Sequence, residues 1–306
     1  MPLPKISIII VSFNTKDITI ATLDSIYQYT NSINFEVIVV DNGSQDGSVE
    51  ALTRYASTKK NFTFKSAGVN LGFGIANNLG ASLAKGRYLL FLNSDTLFQN
   101  NIIPQCLKYL ESKPNTGVYS CRLLNKDGSL QPSGGFFPTL GRVLIWQLFI
   151  DDLPIISRHI HSIHPHRQFY QKHPVNLDWV TGAFMIIPYK IFKKLGGFDK
   201  HIFMYTEEME FCFRVSKSGY RIVYHPDLHI IHLGRASSAS IGSFFSLTSE
   251  VKYTLYFFQK HKPLWQLPLV KICFIIGALL RFIIFGIIKN NATSRRTYLH
   301  VLKLIA

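Results

Sequence analysis

The sequence predicts an α/β fold, a doubly wound and mostly parallel sheet, followed by a helical region that associates with a membrane. Three observations point there. Strand-like and helical patterns alternate through residues 1–125, the order that right-handed crossovers between parallel strands produce. Asp41 and Asp95 each close an apolar run, which puts both at the carboxyl ends of buried strands. From about residue 243 the chain turns helical and increasingly apolar.

Taken in order, the strand-like runs are 6–12, 35–40, 62–66, 88–92 and 117–121, rich in β-branched and aromatic residues. Helical patterns lie between them at 18–29, 48–55, 74–84 and 102–111. No charged leader with a cleavage site precedes the first strand, so no signal peptide is expected. Asn125-Lys126-Asp127-Gly128 reads as a turn. Regularity then fades between 140 and 174, around Trp146 and Phe149, and this stretch reads as an insertion or flap. Its histidines, His159, His161, His164, His166 and His173, have no accompanying Cys or carboxylate pattern and read as a solvated, basic surface. Order returns with a strand at 183–187, a helix at 207–218 and two short strands at 220–224 and 229–232.

The last apolar stretch, 269–288, is about long enough to span a core of ~30 Å at ~1.5 Å per residue. It carries Lys271 and Arg281, and a central arginine costs roughly 2.5–3.5 kcal/mol to insert. Lys260, Lys262, Lys271, Lys289, Arg295 and Arg296 can reach toward anionic headgroups while their stems stay on apolar surface. The expectation is helices lying in the membrane interface.

Lys and Arg number 33 against 18 Asp and Glu, a net charge of +15. Such an excess suits an anionic partner: nucleic acid, an acidic membrane surface or a phosphorylated substrate. The basic residues thicken beside the apolar C-terminal helices and form no recognised nucleic-acid module, which argues against nucleic acid. The four cysteines are scattered, so neither a disulfide framework nor a zinc site is expected, and a reducing compartment is.

Several segments carry chemistry. Asp41 and Asp95 offer acceptor-only side chains, suited to N–H or O–H donors or to a divalent cation. The stretch from Asn70 to Gly80 opens a helix with glycine-spaced backbone, able to admit a diphosphate or to pack closely on the sheet. Its glycines miss the GxGxxG spacing, and the first strand–helix turn lacks it too, which counts against a dinucleotide-dependent oxidoreductase. Asn77 and Asn78 are poor residues for a helix interior, which favours a ligand-facing role for one of them. Asn93-Ser94-Asp95 is either a one-carboxylate metal motif or a helix cap. Glu207, Glu208 and Glu210 open a helix whose dipole favours their ionised forms. Glu210 pairs with Arg214 at i,i+4. Glu207 and Glu208 point about 100° apart, so one can serve as a general base. His232-Leu233-Gly234-Arg235 ends a strand with groups suited to a metal or diphosphate.

Together these segments resemble the inverting family 2 glycosyltransferases of bacterial surface-polysaccharide synthesis, which have the GT-A fold, and within them the rhamnosyltransferase-like branch. The resemblance covers roughly residues 5–238. It implies that Ser12 and Asn14 line the nucleotide pocket, that Asp41 accepts from the pyrimidine base, and that Gly72 and Asn78 approach the nucleotide sugar. It implies further that Asp95 holds Mg²⁺ or Mn²⁺, and that His232 and Arg235 close over the metal and diphosphate. Glu208 takes the place of the base and Glu207 supports it. Asn93 stands where the family usually has the first acid of an Asp-x-Asp triplet, and Glu208 where it usually has aspartate. On this reading residues 1–242 form the transferase domain. Within it, 1–125 is the nucleotide-binding half, and 126–242 is the acceptor and catalytic half with a flap at about 140–175. Residues 243–306 form the membrane-associating region. The implied reaction moves L-rhamnose from dTDP-rhamnose to a polyprenyl-diphosphate-linked saccharide at the cytoplasmic face of the bacterial inner membrane. A UDP- or GDP-hexose donor is the alternative; from another class, so is a basic membrane- or nucleic-acid-binding protein without catalysis.

Overall fold

The computed structural model describes residues 3–153, 160–171, 177–234 and 242–305. Arg235, His159 and His173 lie outside the described residues. The chain divides into two compact units: Met1–Gly134 with Arg167–Ala239, and Gly135–His166 with Ser240–Ala306.

The first unit is built on a mixed sheet. Its amino-terminal half runs β1 (Ile6–Ser12), α1 (Lys16–Tyr29), β2 (Phe35–Asp41), α2 (Ser48–Thr58), β3 (Phe62–Ser66), α3 (Phe73–Leu83), β4 (Tyr88–Asn93), β5 (Thr96–Leu97), α4 (Ile103–Ser112) and β6 (Thr116–Leu124). Two short strands follow, β7 (Leu130–Gln131) and β8 (Gly134–Gly135). After α5 (Leu140–Gln147), which belongs to the second unit, come β9 (Trp179–Val180), β10 (Phe184–Pro188), α6 (Tyr189–Lys194), α7 (Glu207–Lys217) and β11 (Arg221–His232). The main sheet has the order β3-β2-β1-β4-β10-β6-β11-β5, with β7 paired to β6.

Ile6, Ile8, Ile9 and Ile10 of β1 are fully buried, as are Val37, Ile38, Val39 and Val40 of β2. Such unbroken apolar runs belong to parallel strands covered on both faces, and each side chain contributes about 1.5–3 kcal/mol by leaving water. At Gly80 on α3 a Cβ would fall 2.5 Å from Ile9 Cγ2, so the missing side chain lets the helix lie directly on β1. The crossovers carry the chain from β1 out to β2 and β3, then back to the other side of β1 for β4. That reversal opens a crevice at the carboxyl ends of these strands. In register, Ser12 stands beside Asp41 and Val11 beside Asn93, which brings the ends of β2, β1 and β4 side by side.

The second half of the sheet departs from pure parallel order. β10 runs antiparallel to β4 and β6, and β11 parallel to β6. β11 is one strand of 12 residues where the sequence suggested two. Its register shifts between His225 and His229, and Pro226 within the shift has no N–H to pair.

The second unit holds α5, α8 (Gly242–His261), α9 (Gln266–Arg281), a π-helical stretch (Phe282–Ile288) and α10 (Ala292–Ile305). The stretch expected as a flap therefore begins with a helix, and its described histidines, His161, His164 and His166, are engaged. The His164 imidazole meets the Glu250 carboxylate and stands edge-on to Trp146. His166 meets the Asp151 carbonyl at 2.5 Å, and His161 stacks on Phe136. Lys271, one of the cations expected to reach headgroups, turns inward instead, as does Arg281 at the centre of the apolar stretch. Lys271 donates to the Ile305 carbonyl at 3.0 Å. Arg281 donates to the Trp146 and Gln147 carbonyls at 2.9 and 2.8 Å, closing the carboxyl end of α5, and covers the Phe149 ring.

Candidate active site

The crevice is lined from the loops inward. Asp41 is fully buried; its Oδ1 accepts the N–H groups of Gly43 at 3.2 Å and Ser44 at 3.1 Å. Oδ2 is buried with no hydrogen-bond partner. A buried acceptor left unpaired costs about 1–3 kcal/mol, which is the mark of a group arranged for a donor from outside. Asn14 adopts φ +53°, accepts the Gln45 N–H at 2.7 Å and donates its own N–H to Ser44 Oγ at 2.9 Å. It thus joins the loop after β1 to the loop after β2. Ser12 is buried in a hydroxyl cluster with Thr15 and Thr19, at 3.2 and 3.1 Å.

The entry to α3 is held by groups that sequence reasoning did not single out. Asn42 donates to Asn70 Oδ1 and accepts the Leu71 N–H, both at 2.9 Å. Gly72 has φ +81°, and a Cβ there would fall 2.3 Å from the Phe203 carbonyl oxygen. That oxygen accepts the Phe73 N–H at 2.8 Å. The two asparagines of α3 both turn to the protein. Asn77 donates to the Phe73 carbonyl at 3.0 Å. Asn78 donates to the Phe198 carbonyl at 2.8 Å and accepts the Phe198 N–H at 2.9 Å. Asn78 therefore braces the Gly196-Gly197-Phe198 loop. Arg214 holds the same loop through the carbonyls of Leu195 and Gly197, while its guanidinium is clamped by Glu210.

Asp95, in the turn between β4 and β5, and His232, at the end of β11, converge. The ring Nε2 lies 3.2 Å from Asp95 Oδ1 and 3.1 Å from Asn93 Nδ2. Asp95 also accepts the Leu233 N–H on its backbone carbonyl at 2.8 Å. It does not cap a helix, because β5 follows directly and α4 starts only at Ile103, behind Ile102. A carboxylate oxygen and an imidazole nitrogen pointing at one another are a fitting pair of donors for a divalent cation. Among the described residues no group of three or more His, Cys, Asp and Glu gathers for a metal, so substrate phosphates and water would supply the remaining ligands.

The acids of α7 face different ways, as their spacing requires. Glu207 is buried, its Cβ toward Gly74 of α3, and its Oε2 has no partner. Glu208 is half-buried; its Oε1 accepts the Gly182 N–H at 3.4 Å, and its Oε2, like that of Glu207, is buried without a partner. The helix start was expected to favour both ionised forms. Instead, burial raises both carboxyls above the ordinary glutamate value, and Glu207 well above it, with the nearby Glu208 charge adding to the effect. Tyr205 and Thr206, just before these acids, sit at φ +68° and +77°. Left-handed backbone costs non-glycine residues about 1–3 kcal/mol, so the helix start is held under strain where the acids are presented. The spacing of the acids was legible in the sequence; the strain was not.

Comparisons with known proteins give the family and the fold. The family model described as Glycosyl transferase family 2 matches residues 7–196. Rhamnosyltransferase WbbL of Escherichia coli K12 is 29% identical over 245 residues, covering 77% of this chain and 86% of that protein. The N-acetylglucosaminyl-diphospho-decaprenol L-rhamnosyltransferase of Mycobacterium tuberculosis is 26% identical over 246 residues, covering 76% and 78%. Among solved structures, the mannosyltransferase PcManGT from Pyrobaculum calidifontis, in complex with GDP-Man and Mn²⁺, superposes with a TM-score of 0.59. It is 17% identical, covering 100% of this chain and 86% of that one. The fold is that of the GT-A glycosyltransferases.

Proposed function

Because the chain belongs to glycosyl transferase family 2, we propose that it moves L-rhamnose from dTDP-rhamnose to a polyprenyl-diphosphate-linked saccharide, inverting the anomeric carbon. The observation that carries this reading is the placement of acceptors along one sheet edge: Asp41 with its unpaired Oδ2, and the Asp95–His232 pair. Asp41 suits the N3–H of a pyrimidine, and thymine and uracil present it alike. The rhamnosyl assignment draws on the names of the two curated relatives, and the lipid-linked acceptor on the name of the second.

In the proposed reaction the acceptor hydroxyl attacks the anomeric carbon as the sugar–phosphate bond breaks. Glu208 Oε2 takes the hydroxyl proton, and the electron pair of the broken bond leaves on the diphosphate. A single in-line displacement inverts the centre. Asp95 and His232 would hold Mg²⁺ or Mn²⁺, whose charge stabilises the leaving diphosphate. Glu207 lies buried behind the base, facing α3. Glu208 Oε2 is buried with no hydrogen-bond partner, which supports its role as an acceptor for a proton from outside.

The second unit supports attachment to the cytoplasmic face of a bacterial inner membrane. The helical segment Gln266–Ile288 has 23 residues, with a mean hydropathy of 2.4 over its most apolar 18, long and apolar enough to cross a membrane. Leu269, Ile272, Ile276, Leu279, Ile283 and Ile287 are exposed at intervals of three and four residues, one stripe along its length. The cations on that segment, Lys271 and Arg281, turn to carbonyls within the unit. A helix lying in the interface buries that stripe, and the net charge of +15 favours anionic lipid.

The test is nucleotide release from dTDP-rhamnose, UDP-hexoses and GDP-hexoses with a polyprenyl-diphosphate-linked saccharide acceptor and Mg²⁺ or Mn²⁺. Release confined to dTDP-rhamnose is expected. Preference for a UDP- or GDP-hexose would replace the donor assignment, and silence with all of them would overturn catalysis.

A further inference from the structure

The imidazole of His232 is held from behind by a residue outside the catalytic motifs. Its Nδ1 lies 2.5 Å from Oε1 of Gln131 on β7. That amide belongs to a relay that begins in the turn after β6. Asn125 Nδ2 donates to Ser129 Oγ at 2.9 Å, and Asn125 Oδ1 accepts from Gln131 Nε2 at 3.0 Å. With Nε2 committed to Asn125, Gln131 presents its carbonyl oxygen to the ring. The turn itself is closed by the Asn125 N–H to the Ser129 carbonyl at 2.8 Å and by Ser129 N–H to Asp127 Oδ1 at 2.9 Å. Gly234, at φ +69°, leaves room for the amide; a Cβ there would come 3.2 Å from Gln131 Nε2.

We propose that Gln131 is a positioning residue that fixes His232 in the Nδ1–H tautomer, leaving the Nε2 lone pair directed at Asp95 as a ligand for a divalent cation. A carbonyl oxygen can only accept, so the ring nitrogen facing it must carry the proton. In the neutral ring the other nitrogen then keeps its lone pair, which can accept the Asn93 amide N–H at 3.1 Å. Without the amide oxygen, a neutral imidazole exchanges between tautomers, and the Nε2–H form cannot ligate through Nε2. Partners that orient a ligating histidine in this way typically change metal affinity by about 10–100-fold. The role of Gln131 rests on the metal reading of Asp95 and His232, but its first readout does not involve metal.

That readout is a long-range ¹H–¹⁵N spectrum of the full-length protein with labelled histidine, the His232 signals identified by their loss in His232→Ala. The neutral ring is expected to carry its proton on Nδ1. Gln131→Leu should shift the ring toward the Nε2–H form, while Gln131→Glu, which still accepts, should keep the wild-type signature. In a parallel titration of Mn²⁺ with UDP, followed by electron paramagnetic resonance, Gln131→Leu should bind about 10–100-fold more weakly and Gln131→Glu near normally. A wild-type ring protonated on Nε2 overturns the proposal, as does an unchanged ring in Gln131→Leu. Failure of wild-type protein to bind Mn²⁺, with the Nδ1–H ring intact, instead overturns the metal reading and leaves the tautomer assignment standing. Matching thermal unfolding of the two variants separates loss of the amide oxygen from loss of the fold.

Discussion

At Glu208 and Glu207, two neighbouring residues have environments that assign them different work. Glu208→Gln keeps the bond from Gly182 but cannot take a proton, so turnover should fall by ~10²–10⁴-fold with nucleotide affinity nearly unchanged, as steady-state kinetics and calorimetry would show. Because burial raises the Glu208 carboxyl, the acidic limb of the wild-type kcat/KM profile should lie above pH 4.5, the ordinary glutamate value. Glu207 makes a different prediction. Its folded value is well above its unfolded one, so its contribution to stability is complete below about pH 4.5 and is lost as pH rises through the folded value. Glu207→Gln should therefore match wild type in thermal unfolding at low pH and melt higher at neutral pH, by about 2–4 °C per kcal/mol relieved. A neutral-pH melt below wild type would show that the ionised carboxylate is needed for the fold. At the other end of the crevice, Asp41→Asn keeps the Oδ1 contacts and can place an N–H₂ where Oδ2 stands. UDP and dTDP should both bind ~10–100-fold more weakly, the loss of one hydrogen bond to a charged group. The positions of Asp41 and Asp95 were legible because an acid at the end of a buried apolar strand is costly to keep unless it meets a donor or a cation. The elevated carboxyls were not, since the spacing of the acids reveals the helix dipole but not how deeply the folded chain encloses them.

Among the elements, α3 and the loops it meets show how much of the site is scaffold. Asn78 ties α3 to Phe198 by two bonds, and Asn78→Ala would strand a backbone N–H and C=O. A loss of about 1–3 kcal/mol per stranded group is expected, seen in denaturant unfolding, with the larger effect on stability and the smaller on nucleotide affinity. A fall in affinity with stability intact would instead favour direct contact with the sugar nucleotide. The strands were readable because buried parallel strands are mostly apolar, as the runs 8–11 and 37–40 show. Their partners were not: the bond between Asn78 and Phe198 joins residues 120 apart in sequence, and no local pattern encodes it. Gln131 is harder still, sitting on a strand of two residues whose direction and pairing exist only once β6 is formed.

For the whole molecule, the decisive quantity is the one-sided exposure of the segment from Gln266 to Ile288. Ile276→Glu places a charge in the exposed stripe without touching the crevice. Partition onto vesicles containing anionic lipid should fall by ~10–100-fold, the equivalent of about 1.5–3 kcal/mol for one buried isoleucine, while turnover on a soluble acceptor stays near wild type. Raising salt should weaken wild-type binding without abolishing it, because only the charged part is screened. Hydropathy made the segment visible in sequence, but the direction of Arg281 came from the fold. Its guanidinium closes the carboxyl end of α5, 134 residues earlier in the chain. During synthesis those carbonyls emerge long before the arginine does, and amino-terminal parts generally fold first. Held by those carbonyls, the arginine leaves the exposed stripe uncharged, which suits a segment that lies along a bilayer rather than across it. Arg281→Leu removes the captured group and makes the segment more apolar, so a fraction of chains should present a carboxyl-terminal tag to protease on the far side of the membrane.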